Sequence, residues 1–384
     1  MDKKEYETSL VLQSRKAAEV VDAVLNGFDE EEFIKNFPVK EIYDIQRIII
    51  TGCGDSWLAG IAMKPVFEGI AKIGTEAMRC IDFSRFLSSK MLGYSPNTPL
   101  VIGISVSGMV TRTAEALERA TKYGANTIAI TDNPDSPVGK AARFVVPINL
   151  PKDVEYGPGA NSYNGILVVL LCIALKIARI REKISSDEYA DMKKSISEYA
   201  HEVQEMMPEY DRRSLLLADK WKDLKAIDCI GDYADYATAY FCSAKIIETS
   251  GGYTTYDDSE DWCHINYFLA EPNKIGRVIV ANKHTPSFGR IKETMKSINQ
   301  LNSPCIVLTD ANKEEFPDKF EVFTLPTPKY PWLDPLMEHY PFDILAGYIS
   351  GMLKIPAFRT DMPEFNIEGK TDGSRIRNSK KVII

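Results

Sequence analysis

The chain has 384 residues, of which 45% are apolar and 26% are charged, and its formal net charge is −8. This length allows two domains with separate hydrophobic cores. The negative charge argues against a broad nucleic-acid-binding face, since duplex binding requires a basic surface. The seven cysteines are scattered without a CxxC pair, which predicts reduced thiols in the cytoplasm. No signal-peptide pattern opens the chain, and the longest apolar run, residues 166–175, is about half the length of a membrane span.

The first half of the chain alternates short apolar runs with helical patterns. Residues 7–37 predict one or two helices. Continuous apolar strands that alternate with helices predict a parallel sheet covered on both faces. The predicted strands are 46–51, 76–81, 99–105, 126–131 and 143–148, and the predicted helices are 56–73, 111–123, 134–142, 160–182 and 186–207.

The second half repeats this plan after a boundary predicted near 208–216. Its predicted strands are 226–231, 276–281, 304–309 and 320–325, and its predicted helices are 235–249, 287–301 and 340–353. The fold class that follows is α/β, with two doubly wound parallel-sheet domains, each a three-layer α/β/α sandwich. The predicted segments are an N-terminal helical part at 1–37, a first domain at 38–210, a second at 211–355, and a tail at 356–384.

Three strings recur in order in the two halves. IIITGCGDS, LVIGISVSG and NTIAITD in the first half correspond to AIDCIGDYAD, RVIVANKHTPS and PCIVLTD in the second half. Matching order, similar intervals and shared TD endings indicate one supersecondary plan used twice. The copies differ after the middle strand, where only the first carries Ser-x-Ser-Gly.

Two hydroxyl-bearing loops follow strands of the first half. Ser-x-Ser-Gly lies between a buried strand and a predicted helix, and Ser56 opens another helix after a second strand. A single such serine is more often an ordinary N-cap. Two of them at the carboxyl ends of parallel strands, with free N–H groups at the helix starts, predict a phosphate site instead. The candidate ligands are Gly54, Ser56, Ser105, Ser107, Gly108 and Thr111.

The second half carries a candidate acid–base group. Lys245 and Glu248 are three residues apart on a predicted helix and therefore share a face. By itself such a pair is more often a surface ion pair. His264 follows Glu248 by sixteen residues, and a lone histidine is more often structural or exposed.

Together, these features resemble the double sugar-isomerase (SIS) domain family over roughly residues 40–384. The motifs that carry the resemblance are Gly-Cys-Gly-Asp-Ser at 52–56, Ser-x-Ser-Gly at 105–108 and the internal duplication. The family includes the isomerase half of glucosamine-6-phosphate synthase, amino-sugar-phosphate deaminases and deglycases of phosphorylated fructosamines. The resemblance implies that the serines at 56, 105 and 107 bind a sugar phosphate.

This chain departs from the family pattern at several positions. Val110 stands where the family's phosphate motif has threonine, and Thr111 is a candidate substitute. Val106 stands where the synthase has glutamine. The family's His-Gly-Pro is His-Ile-Asn here, at 264–266. These differences suggest a substrate different from those of the best-known members.

The resemblance also implies catalytic roles. In the related enzymes a Lys-x-x-Glu helix precedes the histidine by the same or nearly the same interval. It implies that Glu248 moves a proton between C1 and C2, and that His264 opens the sugar ring. Removal of a proton next to a carbonyl needs a carboxylate base, for which a dry pocket and a raised pKa are expected. Ring opening suits an imidazole.

The C-terminal string SRIRNSKKVII resembles a tail whose lysine forms a Schiff base with the open-chain sugar. By offset, Lys380 takes that position, and the tail would close the active site. A solvated basic tail is the equal alternative. The loop at 155–163 contributes further candidate sugar contacts, namely Ala160, Asn161 and Ser162.

The leading hypothesis is a cytoplasmic enzyme that acts on a hexose 6-phosphate by proton transfer at C1 and C2. An amine-releasing reaction, deglycation or deamination, is favoured, with simple aldose–ketose isomerisation as an alternative. Without a glutaminase segment, synthesis of glucosamine 6-phosphate from glutamine is not expected. No cofactor, metal or membrane is expected, and the family implies a homodimer with a shared active site. The other class is a non-catalytic sugar-phosphate sensor.

Overall fold

The computed structural model describes residues 2–92, 99–152, 157–365, 376–377 and 379–384. Residues 153–156, which include the first two residues of the predicted sugar-contacting loop, and residues 366–375 and 378 of the predicted tail lie outside the described residues. Two five-stranded sheets, both entirely parallel, form the framework. The predicted α/β class with two doubly wound parallel sheets is confirmed.

The first sheet has the order β2-β1-β3-β4-β5. Its inner strands are nearly continuous apolar runs, and every residue of β3 is buried, as expected when helices cover both faces. The strands are β1 Arg47–Gly52, β2 Gly74–Arg79, β3 Leu100–Ile104, β4 Asn126–Ile130 and β5 Phe144–Val146.

The second sheet has the order β10-β9-β8-β6-β7, which is the same winding for the second set of strands. β7 was not predicted, because its sequence YTTYD has no apolar run and the strand lies half-exposed at the sheet edge. The strands are β6 Ala226–Ile230, β7 Tyr253–Asp257, β8 Ile275–Val280, β9 Cys305–Thr309 and β10 Glu321–Thr324.

Helices connect the strands and precede the first sheet. Three helices, rather than the one or two predicted, lie within residues 7–37, because the chain turns after residues 14 and 27, and a fourth short helix follows before β1. The α-helices are α1 Ser9–Ser14, α2 Ala17–Gly27, α3 Glu30–Asn36, α4 Val39–Asp44, α5 Asp55–Gly69, α6 Cys80–Arg85, α7 Thr111–Lys122, α8 Pro137–Ala141, α9 Ala160–Ile180, α10 Ser186–Trp221, α11 Asp235–Ser250, α12 Asp261–His264, α13 Phe288–Gln300, α14 Asp334–Met337 and α15 Tyr340–Leu353. Short 3-10 helices occur at Lys3–Glu5, Ser89–Met91, Asn266–Phe268, Pro272–Lys274, Lys313–Glu315, Pro331–Leu333 and Ala357–Arg359.

The chain divides into two compact units whose bounds differ from the predicted domains. The first-sheet unit comprises Glu19–Lys152, Ser162–Ser197 and Asn366–Ile384. The second-sheet unit comprises Met1–Ala18, Asp153–Asn161 and Glu198–Phe365. No break occurs at the predicted boundary of 208–216, because those residues lie inside α10, which continues through Pro208.

Each unit has its own apolar core. Ile49, Val101 and Leu117 are fully buried in the first-sheet unit. Ile279, Val307 and Trp262 are fully buried in the second-sheet unit. These residues come from the strands and from the helices packed on them, so each sheet is stabilised by apolar burial on its helix-covered faces.

Helix α9 is the one described helix that is long and apolar enough to cross a membrane. It has 21 residues, whereas the sequence predicted an apolar run of about half a span. Because 83% of its most apolar window is buried inside the structure, α9 has the character of a core helix.

Candidate functional site

The winding of the first sheet reverses between β1 and β3, which pair directly with each other. In open parallel sheets, ligands bind beyond the carboxyl ends of the strands at this reversal point. Two loops occupy that place here: residues 52–56 follow β1, and residues 105–108 follow β3. They are the two hydroxyl-bearing loops predicted from the sequence.

The loop after β1 is tightly packed. A Cβ atom at Gly52 would lie 2.7 Å from Ser56 Cβ, so only glycine fits beside the first turn of α5. Gly54 has φ +55° and caps α5, and its carbonyl oxygen accepts a hydrogen bond from the Trp57 N–H at 2.9 Å. Ser56 is half-buried on the first turn of this helix. The loop therefore fixes the Ser56 hydroxyl at a helix N-terminus.

The loop after β3 turns sharply at Gly108. Gly108 has φ +69°, and a Cβ atom there would lie 2.0 Å from Ser136 Oγ. Ser105 is 2% exposed, and its hydroxyl has no hydrogen-bond partner among the described residues. Ser107 is exposed, and its hydroxyl accepts a hydrogen bond from the Met109 N–H at 3.3 Å. The loop thus presents one uncommitted and one exposed hydroxyl next to the start of α7.

Thr111, a predicted phosphate ligand, contacts the C-terminal segment in this structure. Its N–H, the first of α7, donates to the Ile376 carbonyl oxygen at 3.0 Å. Its hydroxyl oxygen accepts a hydrogen bond from the Ser379 N–H at 3.3 Å. Both polar groups of Thr111 are therefore used to hold the C-terminal segment in this structure.

Residues 376–377 and 379–384, which we call the tail segment, follow α7 along its length. Arg112 donates to the Lys380 carbonyl oxygen at 2.5 Å, and Tyr123 donates to the Ile384 carbonyl oxygen at 3.1 Å. The Lys380 side chain is exposed. Its role in Schiff-base formation stays a prediction.

A buried carboxylate on α7 anchors the tail segment. Glu115 is fully buried and accepts hydrogen bonds from Arg85 at 2.5 Å, Arg112 at 2.5 Å and the Val382 N–H at 2.7 Å. Burial raises the pKa of Glu115, but the Arg85 bond, the Val382 N–H and the charge of Arg112 outweigh burial and lower that pKa overall. Glu115 therefore stays ionised and binds the tail segment to α7.

The two candidates at the start of α9 belong to different compact units. Asn161, in the second-sheet unit, is fully buried, and its N–H donates to Gln13 Oε1 at 3.2 Å. Both polar atoms of its side-chain amide lack a hydrogen-bond partner among the described residues. Ser162, in the first-sheet unit, is half-buried. Of Asn161 and Ser162, Asn161 is therefore the better candidate for binding a polar ligand.

The predicted acid–base pair forms on α11 in the second-sheet unit. Lys245 Nζ lies 2.6 Å from Glu248 Oε2, and the Lys245 side chain is fully buried whereas that of Glu248 is 29% exposed. Lys245 Nζ also lies 4.4 Å from the centre of the Phe241 ring. The pair is therefore not the ordinary surface ion pair, because a buried ammonium group holds the partly exposed carboxylate.

His264 ends α12, and its side chain is 68% exposed. Its Nε2 lies 3.4 Å from Glu260 Oε1. The next residues are exposed and apolar, with Ile265 64% and Phe268 75% exposed. An exposed imidazole beside exposed large apolar side chains is typical of a segment that meets another surface.

A buried carboxylate positions the segment that carries His264. Asp228, in the middle of β6, accepts hydrogen bonds from Trp262 Nε1 at 2.6 Å and from Asn266 Nδ2 at 3.1 Å, and it also pairs with Arg277. Burial raises the pKa of Asp228 to about 6, against the lowering effect of Arg277 and the two hydrogen bonds. Asn266, the departure from the family's proline, thus fixes the backbone two residues after His264.

The second sheet reverses between β6 and β8, and the loops there are acidic. Glu338 is fully buried and accepts hydrogen bonds from Thr238 at 2.5 Å and Asn282 at 2.7 Å, and Asp235 opens α11 beside it. His284 Nε2 lies 2.8 Å from Asp334 Oδ2, and its Nδ1 lies 3.9 Å from Asp310 Oδ2. The place that corresponds to the hydroxyl loops is therefore occupied by the protein's own carboxyl groups.

Burial controls the protonation of this group. It raises the pKa of Glu338 to about 8 and of Asp334 to about 7, and it raises the pKa of Asp235 well above its ordinary value, with neighbouring carboxylates adding to the effect. The carboxylates of Asp310 and Asp334 beside the imidazole raise the pKa of His284 to about 10. Near neutral pH the cluster therefore combines protonated carboxyl groups with a charged imidazolium.

An acidic loop that the sequence analysis did not single out follows β7. One carboxylate oxygen from each of Asp257, Asp258 and Asp261 lies within 4.8 Å of the others. The spacing D-D-x-x-D could have indicated the group. These residues are half-buried or exposed, as such acidic groups commonly are without a metal ion.

The comparisons with known proteins agree with this architecture. A model of the family described as "SIS domain" matches residues 41–178, the stretch that carries both hydroxyl loops. Residues 41–178 are therefore similar to a SIS domain.

Similarity to the relatives extends beyond this domain. Over 317 residues the chain is 24% identical to the glutamine–fructose-6-phosphate aminotransferase (isomerizing) of Gloeobacter violaceus, covering 80% of this chain and 49% of that protein. The chain thus spans about half the length of the curated relatives that it matches.

Two solved structures illustrate the shared fold. The C-terminal domain of glucosamine-fructose-6-phosphate aminotransferase from Francisella tularensis matches with a TM-score of 0.77 at 18% identity, covering 91% of this chain and 97% of that one. Glucosamine-6-phosphate deaminase from Thermotoga maritima matches with a TM-score of 0.62 at 18% identity, covering 91% and 96%. At these identities the likeness shows the fold.

Three residues that organise the two units were not predicted from the sequence. Asp228 and Arg277 are charged residues inside otherwise apolar strands, and that pattern alone could have indicated a buried ion pair. Glu115 had no such signal, because its partner Val382 is 267 residues away.

Proposed function

We propose that the protein is an enzyme that processes a hexose 6-phosphate by moving a proton between C1 and C2, with release of an amine. The hydroxyl loops of the first-sheet unit would bind the phosphate. Glu248 would carry the proton, and His264 would assist ring opening. The related proteins named above are an aminotransferase and a deaminase of phosphorylated amino sugars, which supports the amine chemistry.

The observation that carries the proposal is the pairing of the two hydroxyl loops. They follow β1 and β3, the two adjacent strands at which the sheet reverses. The Ser105 hydroxyl is buried without a described partner, and a ligand that accepts or donates a hydrogen bond would relieve that cost of about 1–3 kcal/mol. A phosphate offers several acceptor oxygens to hydroxyls and to N–H groups at helix starts.

The buried Lys245 gives Glu248 a defined position. A carboxylate held by a fully buried ammonium group 2.6 Å away keeps one orientation, whereas a surface pair samples many. Proton abstraction next to a carbonyl depends on such placement of the base. Lys245 would therefore act as a positioning residue and Glu248 as the base.

The test of the base is Glu248→Gln, which keeps shape but removes proton transfer. We expect turnover to fall about 10²- to 10⁴-fold, while calorimetric binding of fructose 6-phosphate persists. Glu271→Gln is the matched control, since Glu271 forms an exposed i, i+3 pair with Lys274 at 2.5 Å. Unchanged turnover in Glu248→Gln would remove Glu248 from the mechanism, and binding without any turnover in the unaltered protein would indicate a sensor.

The reaction class is tested with a substrate panel. Hexose 6-phosphates, amino-hexose 6-phosphates and fructosamine 6-phosphates would be assayed for release of ammonia, amine and ketose. We expect amine or ammonia release to be fastest. Interconversion of the plain hexose 6-phosphates as the only activity would make the protein an aldose–ketose isomerase.

We further propose that the active protein is a homodimer in which His264 acts in the partner's site. The exposed apolar run after His264, with Ile265 and Phe268, supports this assembly, because a monomer rarely exposes a continuous apolar surface. Phe268→Asp is expected to shift the mass measured by light scattering from dimer to monomer and to abolish turnover. A monomer in the unaltered protein would contradict the assembly.

A further inference from the structure

Two cysteines lie at the base of the loop that follows β1. All seven cysteines of the chain are thiols in this structure. Cys53 lies inside the loop, between Gly52 and Gly54, and is exposed. Cys80 is the first residue of α6 and is buried. One thiol is therefore open to solvent and the other is protected behind it.

The sheet register brings these two residues side by side. β1 and β2 are parallel, and Gly52 is the register partner of Arg79, so Cys53 and Cys80 are the next residues on neighbouring strands. Adjacent strands are about 4.8 Å apart, which falls within the range of about 4.4–6.8 Å for Cα atoms joined by a disulfide. The two thiols are also close enough to influence each other's ionisation. The backbone is thus already placed for a disulfide.

The surroundings favour loss of one proton from the pair. The neighbouring Cys53 thiol lowers the pKa of Cys80, burial opposes it, and the hydroxyls of Thr113 and Thr51, each 3.4 Å from Cys80 Sγ, lower it further. The positive charge of Arg112 acts in the same direction. The pKa of Cys53 is raised in turn, because a second proton would have to leave beside an existing thiolate. The pair therefore loses its first proton more readily than an isolated buried thiol would, and this favours reaction with oxidants.

We propose that Cys53 and Cys80 are an oxidisable dithiol that closes to a disulfide beneath the phosphate loop. With hydrogen peroxide as oxidant, the thiolate of the pair attacks a peroxide oxygen, the O–O bond breaks, and a sulfenic acid and hydroxide form. The remaining thiol then attacks the sulfenic sulfur, the S–S bond forms, the S–O bond breaks and water leaves, while the hydroxide takes up the proton that the first thiol had released. Two thiols lose two electrons and two protons, and peroxide is reduced to two waters.

Closure of the disulfide changes the phosphate loop. A Cβ atom at Gly52 would lie 2.7 Å from Ser56 Cβ, so the backbone around Cys53 is in close contact with the first turn of α5. A covalent bond from Cys53 to α6 therefore constrains the Ser56 hydroxyl through that contact. Weaker binding of the sugar phosphate in the oxidised protein follows, and this consequence rests on the proposed function.

The first arm of the test examines the chemistry alone. The full chain is treated with hydrogen peroxide and digested without reductant, and the peptides are identified by mass spectrometry. We expect a linked Cys53–Cys80 peptide that disappears with dithiothreitol and is absent from Cys53→Ser and Cys80→Ser. Irreversible oxidation of Cys53 without the linked peptide, or linkage of Cys53 to another cysteine, would overturn the proposal.

The second arm measures affinity for inorganic phosphate and fructose 6-phosphate by calorimetry. We expect about a tenfold weaker affinity after oxidation, restored by dithiothreitol, and no response to peroxide in Cys53→Ser. If the reduced protein binds phosphate but no linked peptide forms, the dithiol proposal is wrong and the proposed function is unaffected. If the linked peptide forms but phosphate binds in neither state, the proposed function is wrong and the dithiol proposal is unaffected. If the linked peptide forms and the affinity is unchanged, the disulfide does not control phosphate binding.

Discussion

The carboxyl edges of the two sheets share a winding but differ in chemistry. At the first edge, Ser56, Ser105 and Ser107 present hydroxyls around two helix starts. At the second edge, Asp235 and Glu338 fill the corresponding place with buried carboxyl groups. The duplicated backbone therefore keeps the same strand order while its edge is either open to an external anion or occupied by internal acids. Fold duplication alone does not carry the function, because the residues at the edge decide what binds.

Among the substitutions that test this comparison, Gly108→Ala is expected to have the largest effect. A side chain there meets both a positive φ of +69° and a Ser136 Oγ atom 2.0 Å away. We expect a loss of about 2–5 kcal/mol in the free energy of unfolding and loss of phosphate binding, measured by denaturant titration and calorimetry.

The matched control is Gly289→Ala, on the first turn of α13 in the second copy. Nothing lies within 4 Å of a Cβ atom at that position. Alanine there is expected to stabilise the helix by up to about 1 kcal/mol. Equal destabilisation by both substitutions would contradict a special role for the loop after β3.

The next test concerns the tail segment, which binds α7 in the first-sheet unit. Glu115→Gln removes a buried charge that pairs with Arg85 and Arg112, and we expect a loss of about 2–3 kcal/mol in the free energy of unfolding. Glu118→Gln on the same helix breaks only the partly exposed pair with Lys381 and should cost less than about 1 kcal/mol. Limited proteolysis of the last residues should accelerate in Glu115→Gln, and equal effects of both variants would exclude Glu115 as the anchor.

The acids of the second edge predict a loss of stability at alkaline pH. Folding raises the pKa of Glu338 from 4.5 to about 8 and of His284 from 6.5 to about 10. The folded state therefore binds more protons than the unfolded state across this range, so stability falls as pH rises. Between pH 6.5 and 8.5 the two shifts together predict a decrease of about 3–4 kcal/mol, seen as a lower Tm.

Glu338→Gln should reduce that pH dependence, because the amide has no proton to lose in this range. The control is Glu209→Gln, an exposed carboxylate paired with Arg212 at 2.8 Å in the same unit, which should leave the slope unchanged. A slope that is identical in all three proteins would show that the buried acids do not titrate as their surroundings predict.

The smallest expected effect comes from the hydroxyls of the second edge. Thr285 and Ser287 precede α13 as the serines precede α7, but the nearby cavity of about 610 Å³ is also lined by Asp232, Asp258 and Glu260. Acidic walls repel phosphate. The double substitution of both hydroxyl residues by alanine should change phosphate affinity by less than about twofold, whereas Ser105→Ala should weaken it about tenfold.

The sequence predicted the inner strands well because a buried parallel strand is a continuous apolar run, as in β3 and β8. β7 lacks that run, so it could not be recognised. Pro208 suggested a helix end, yet α10 continues through it, because tertiary packing outweighs a local breaker. Glycine and serine positions of the loops were predictable from local turn chemistry.

The contacts that organise the site could be predicted only in part. The pairing of Lys245 with Glu248 could be predicted from their spacing, since residues three positions apart on a helix share a face. The use of Thr111 by the tail segment was not predictable, because its partners Ile376 and Ser379 are remote in sequence. The buried Asp228 could be recognised as a charged residue inside an apolar strand. Its hydrogen bonds to the segment that carries His264 could not be predicted, because they depend on tertiary folding.

The tail segment has a consequence for the order of folding. Its contacts with α7 join residues 261 to 268 positions apart, so the first-sheet unit cannot be completed until residues 376–384 have been synthesised. Contacts of such separation carry a large loop-closure entropy and form late. A nascent chain that has produced only the first sheet would hold Glu115 and Arg112 without the Val382 and Lys380 groups that they bind in the folded protein. Translation of the tail segment is thus the step that completes the surroundings of α7.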